Sequence, residues 1–320
     1  MQARDLVQSG PTAFAGVDED CFRRTFGRAL PRARFVYIDD CKAAYYVLEG
    51  SHAASSVDSH RVLMVHGIQT PALGLVPLAT CLQKTDPSAR LVLVELFGHG
   101  LSDTPNRPHA PALFHKLLDQ VLNALSWQSA DIIGYSFGAL TTAGYLARSA
   151  ERIRTLVLIA PAGFYRANDL DSARLESEDN RVVQEYVFEL LEGPHPVTPD
   201  DWRERSAAGE LIPSGLRLWQ KAEHGGHIVS VVSMFRDGGV LDSHEMYEQA
   251  GKRKDETSTP VRVILGEEDD ICSTSDFINR GFTDVHVIPE ADHGVVRDKA
   301  AGVADLVASF WRSVQDDRRD

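Results

Sequence analysis

The chain has 320 residues, 43% of them apolar and 25% charged, and 46 acidic against 33 basic side chains leave a net charge of −13. That length buries a core as one large α/β domain or as two smaller ones. The charge argues against nucleic acid or an anionic membrane as the main partner, and it disfavours polyanionic substrates unless a local basic pocket offsets it.

Cys21, Cys41, Cys81 and Cys272 lack metal-like or C-x-x-C spacing, so they read as reduced thiols, and no metal or cofactor is expected. Met1 to Gly16 has no apolar h-region, so no secretory signal is expected. No stretch reaches the roughly 20 apolar residues of a membrane span. The expected setting is cytoplasmic.

In chain order, the arginine-rich residues 1–33 suggest no element. Phe35 to Ile38 and Ala44 to Leu48 read as a hairpin turned at Asp39-Asp40. Gly50 to Ser59 is polar and reads as a loop. Arg61 to Val65 and Leu91 to Val94 are continuous apolar runs, the pattern of strands buried on both faces of a parallel sheet, with a helix over Leu73 to Leu82 between them. Leu113, Phe114, Leu117, Leu118, Val121, Leu122 and Leu125 make one face of another helix.

Ile132-Ile133 then runs into Gly134-Tyr135-Ser136-Phe137-Gly138, followed by small, helix-compatible residues to Leu146. This reads as strand, abrupt turn and helix, with the serine driven towards positive φ and flanked by glycines that clear the space around it. Leu156 to Ile159 is a further strand.

The alternation stops at Phe164. Helical patterns continue to about Glu245, including the stripe Val182, Val183, Tyr186, Val187, Leu190 and Leu191. Thr198-Pro199-Asp200-Asp201 reads as a capped helix start. Strands return at Val261 to Leu265 and Val285 to Ile288, before an amphipathic helix with Val303, Leu306, Val307, Phe310 and Trp311 and a charged tail from Asp316 to Asp320. The division expected is a core over 1–163 and 246–320 interrupted by a helical lid over 164–245.

Function gathers beyond the carboxyl ends of parallel strands. Four such ends carry His66-Gly67-Ile68, Ser136, Gly266-Glu267-Glu268-Asp269-Asp270 and Asp292-His293-Gly294. Together with Phe97-Gly98-His99-Gly100-Leu101-Ser102-Asp103, and in the order nucleophile, acid, histidine, these motifs resemble the lid-bearing α/β-hydrolases from about Phe35 to Trp311. The resemblance implies an α/β-hydrolase fold, a mostly parallel sheet with helices on both faces.

It also implies roles: Ser136 as nucleophile, His293 as general base, Asp269 as the acid that orients the imidazole, and the backbone amides of Ile68 and Phe137 as an oxyanion hole. Asp270 is the rival acid, one residue away. Ala160-Pro161-Ala162 offers no acid where some relatives place theirs. His66, His99, Tyr135 and His227 are candidate pocket residues, although His66, His99 and Ser102 also read as structural turn residues and His224 to His227 as a helix-breaking turn. Glu95 stands where the family more often has Asp. The activity implied is hydrolysis of a carboxylic ester or lactone of a small, mostly apolar molecule; the alternatives are carbon–carbon hydrolysis of a diketone-like substrate, and ligand binding without turnover.

Overall fold

In the computed structural model, residues 12–50 and 60–317 are described. Most of the loop expected over 50–59, the first eleven residues and the end of the charged tail lie outside them.

A short strand β1 (Ala13–Phe14) and helix α1 (Glu19–Phe26) precede the antiparallel pair β2 (Arg34–Ile38) and β3 (Cys41–Leu48). The hairpin turns at Asp39, φ 54°, a left-handed conformation that aspartate adopts more readily than most residues. Strand and helix then alternate through β4 (Arg61–Val65), α2 (Val76–Thr85), β5 (Arg90–Val94), the short β6 (Thr104–Pro105), α3 (Pro111–Ala124), β7 (Ala130–Tyr135), α4 (Phe137–Ser149) and β8 (Ile153–Ile159).

A helical segment follows: α5 (Ser172–Leu175), α6 (Asn180–Glu192), α7 (Trp202–Ala207), α8 (Pro213–Glu223) and α9 (His227–Asp237). Next come α10 (His244–Thr257), β9 (Val261–Gly266), α11 (Thr274–Ile278), β10 (Val285–Ile288), α12 (Val295–Asp298) and α13 (Ala300–Asp317).

Eight strands form one sheet in the order β10-β9-β8-β7-β4-β5-β3-β2, and only β3 runs against its neighbours. The apolar runs explain it. Val62 to Val65, Leu91 to Val94 and Leu156 to Ile159 are completely buried, and each such side chain contributes about 1.5–3 kcal/mol over an exposed one. One face packs on α3, α4 and α10, the other on α2 and α13, and α1 and α8 join the second cluster. This is the α/β-hydrolase fold.

One expectation is corrected. The helix after Thr198 begins at Trp202 with Asp201 at its cap, and residues 199–202 form a turn closed by Trp202 N–H to Pro199 O. Burial sets that start, because Trp202 is 3% exposed and its indole fills the space beside Gly215. Helix α10, entered at His244, packs on α4 ahead of β9.

Residues 1–33 hold an element that periodicity missed. Asp18 caps α1 by accepting from the amides of Asp20 and Cys21. Phe22 and Phe26 then meet the indole of Trp219 on α8 edge-on, with ring centroids 5.7 and 5.0 Å away.

At the amino ends of the strands, His60 lies between two carboxylates: its Nδ1 is 2.6 Å from Asp86 Oδ2 and its Nε2 meets Asp131, which also accepts from Arg154 and Thr155. Burial pulls His60 down, but the two carboxylates outweigh it and leave its pKa raised. The hydrogen bond from His60 holds Asp86 down at about 2. Stability from Asp86 is therefore present above its unfolded pKa near 4 and lost as pH falls towards 2, and that from His60 is lost as pH rises through its raised value. The urea midpoint of Asp86→Asn is expected to fall less between pH 5 and pH 2.5 than that of the parent; equal losses would refute this assignment.

Candidate active site

β7 ends at Tyr135 and α4 begins at Phe137, so the chain reverses at one residue. Ser136 takes φ 55° and ψ −118° there, a conformation that costs a residue with a Cβ about 1–3 kcal/mol. The flanking glycines are dictated by contact: a Cβ at Gly134 would lie 2.3 Å from Thr142 Oγ1, and one at Gly138 2.1 Å from Val65 O. Neighbouring backbone pins the turn. Ser136 N donates to Ile159 O at 2.9 Å, and Ser136 O accepts from the amides of Ala139, Leu140 and Ala162.

Two loops bring the partners. The loops after β9 and β10 are joined by Glu267 N to Ile288 O and Glu268 N to Ala291 O, at 2.9 and 2.8 Å. Asp269 Oδ1 accepts from Ile271 N, and Oδ2 lies 2.9 Å from His293 Nδ1. His293 Nε2 lies 2.9 Å from Ser136 Oγ. A carboxylate can only accept, so Nδ1 carries the proton and Nε2 is free to accept from the hydroxyl. The Asp269 side chain is fully buried while that of His293 is one-third exposed. Asp270, the rival, is exposed, and the carboxylate on His293 Nδ1 is that of Asp269.

The loop after β4 passes the hydroxyl on its other side. A Cβ on Gly67 would lie 2.8 Å from Ser136 Cβ and 3.2 Å from Oγ, so glycine leaves the space beside the nucleophile. Among the described residues neither the Ile68 nor the Phe137 amide meets a protein acceptor. Unpaired backbone donors of this kind suit an oxygen that gains negative charge.

The remaining candidates take different places. Tyr135 is 3% exposed, its hydroxyl donates to His293 O at 2.8 Å, and Arg297 lies over its ring. His66, His99 and His227 are buried supports bonded to backbone. His66 accepts from Leu96 N and donates to Gly67 O. His99 donates to Phe97 O and accepts from Gln69 N. His227 donates to Gly98 O. Burial keeps His99 well below the usual histidine range and His227 down at about 3, so both rings are neutral.

Glu95 accepts from Ala72 N and Tyr46 Oη, and Ser102 donates to Glu95 O. The Phe97 to Asp103 turn thus ties strands together below the site. Arg297, four residues beyond His293 and half-buried against Tyr135, went unnoticed in the sequence, where only that spacing signals it.

A family model described as the alpha/beta hydrolase fold matches residues 60–194. The chain is 26% identical over 247 residues to 2-(acetamidomethylene)succinate hydrolase of Mesorhizobium japonicum, covering 73% of this chain and 81% of that protein. It resembles the enol-lactonase of Burkholderia xenovorans LB400, with TM-score 0.64 and 16% identity over 87% of this chain and 100% of that one. It also resembles a meta-cleavage product hydrolase of Pseudomonas fluorescens IP01, with TM-score 0.60 and 17% identity over 89% and 98% of the two chains.

Adding the missing methyl at residue 67 tests the spacing beside Ser136. Gly67→Ala is expected to fold and to react with a fluorophosphonate about 10²-fold more slowly than the parent; an unchanged labelling rate would show that the loop yields.

Proposed function

We propose that this chain, a member of the α/β-hydrolase superfamily, is a serine hydrolase that cleaves a carboxylic ester or lactone of a small, mostly apolar molecule through an acyl-enzyme. The observation that carries this reading is the unbroken line from Asp269 through His293 to Ser136, with both links at 2.9 Å.

An alcohol is a weak nucleophile until a base removes its proton. Ser136 Oγ attacks the carbonyl carbon as His293 Nε2 takes that proton. Asp269 holds the imidazole in the required tautomer and stabilises the cation formed. The carbonyl oxygen, now negative, accepts from the Ile68 and Phe137 amides. Collapse expels the alcohol, which takes the proton back from His293. Water, deprotonated by the same imidazole, then releases the acid and restores Ser136.

The helical segment from residue 164 to about 245 covers this centre and sets substrate shape, with residues 1–163 and 246–320 as the core. An apolar pocket discriminates by roughly 1–3 kcal/mol per methylene. The names of two similar proteins, a succinate-derivative hydrolase and an enol-lactonase, support hydrolysis at a carbonyl carbon. Similarity to a meta-cleavage product hydrolase favours a second reading, carbon–carbon hydrolysis of a diketone-like substrate by the same three residues.

p-Nitrophenyl esters of graded chain length, assayed beside a vinylogous diketone, separate these readings. Ester turnover is expected, with kcat falling at least about 10⁴-fold in Ser136→Ala and about 10³- to 10⁴-fold in Asp269→Asn. Diketone turnover alone would support the second reading, and a folded protein left unlabelled by a fluorophosphonate would support binding without turnover.

A further inference from the structure

Gln69 follows Ile68, the proposed oxyanion donor, and is 4% exposed at φ 67°. A side chain in that left-handed region must be held there by its surroundings. Three of its four polar atoms are held. Its amide donates to His99 Nε2 at 3.0 Å, its carbonyl accepts from Gln220 Nε2 at 2.5 Å, and its side-chain Nε2 donates to Glu192 Oε1 at 2.5 Å. Only the first partner belongs to the core.

Gln220, on α8, is completely buried, and its Oε1 accepts from Gly100 N at 3.0 Å. A backbone N–H at one end and a carbonyl at the other fix the orientation of this amide, since the flipped form would set donor against donor and acceptor against acceptor. Gln220 thereby bolts the Ile68 loop to the glycine turn beneath it.

Glu192, the last residue of α6, is fixed in turn. Its side chain is 5% exposed, Lys221 Nζ approaches Oε1 at 2.6 Å, and Arg217 Nε stands 4.0 Å away. The Lys221 ammonium also lies 4.3 Å from the centroid of the Phe188 ring, which restricts it further.

We propose that Gln220 and Glu192 are positioning residues: through Gln69 they aim the Ile68 amide at the oxyanion, which makes the helical segment part of the catalytic apparatus as well as its cover. This rests on the serine-hydrolase reading above. The physical reason is preorganisation, because a donor contributes to the transition state only if it already points at the place where charge appears. Gln220 and Glu192 touch no substrate in this account, so their loss should act on the chemical step and spare ground-state binding.

The test compares Gln220→Met, Glu192→Ala, Gln69→Ala and the double variant Gln69→Ala/Glu192→Ala with the parent and with Ser136→Ala. p-Nitrophenyl butyrate gives kcat and KM. An alkyl trifluoromethyl ketone, which forms an oxyanionic hemiketal on serine, reports the oxyanion hole. End-point titration with a fluorophosphonate counts folded sites.

Gln220→Met is expected to lose about 10- to 100-fold in kcat per titrated site, with KM within about twofold and ketone affinity falling by the same factor as kcat. Glu192→Ala should lose less, about three- to tenfold, and most of that loss should vanish in the Gln69→Ala background. Should the buried Gln220→Met fail to fold, the Gln69–Glu192 cycle at the edge of the segment decides alone. Parent-like kcat and ketone affinity in the variants that titrate fully, or additive losses in the cycle, would overturn the proposal while leaving the serine mechanism standing. A Ser136→Ala enzyme with parental turnover would overturn both.

Discussion

Gly138 lies so close to the end of β4 that a Cβ there would sit 2.1 Å from the carbonyl oxygen of Val65. This approach lets the first turn of α4 sit close against the end of β4 and the residue that follows it. The chain must then reverse within one residue, so Ser136 is forced into its positive φ. The strain is local and the means of holding it are not: four backbone hydrogen bonds to residue 136 come from β8, the loop behind it and the helix ahead. A sheet buried on both faces makes such a turn affordable.

The histidines divide by what stands on each ring nitrogen. His99, His109 and His227 each set Nδ1 against a backbone carbonyl, of Phe97, Arg107 and Gly98 in turn, and burial holds all three below the usual range. They are neutral hydrogen-bonding posts. His60 has a carboxylate on both nitrogens, which makes it a structural cation at the amino ends of the strands. His293 has a carboxylate on one side and a hydroxyl on the other. That asymmetry is what a proton carrier needs, because one nitrogen must stay protonated while the other gains and loses its proton.

Much of this was legible in the sequence, because local patterns carry it. The continuous apolar runs of β4, β5 and β8 can be satisfied only inside a covered sheet, and the glycines around Ser136 mark a backbone crossing that no other residue permits. Asp269 and Asp270 could be told apart only by direction: adjacent side chains leave the chain on different sides, and one reaches His293 while the other faces solvent. Helix α1 escaped notice because its eight residues show just two buried positions, Phe22 and Phe26, too few for a periodicity. The Thr198 cap misled because burial of Trp202, a tertiary contact, chose where the helix begins. The tie between Gln69 and Gln220 spans 151 residues, and no local rule relates two glutamines so far apart.

The edge-on packing of Phe22 and Phe26 against Trp219 bears on how such enzymes diversify. The helical segment is continuous in sequence but not self-contained in space, since part of its footing comes from the other end of the chain. Grafting residues 164–245 alone onto a foreign core would leave a large indole facing water where two phenyl rings should be. A transferable segment must carry residues 18–26 with it, so two separate pieces of gene have to change in step.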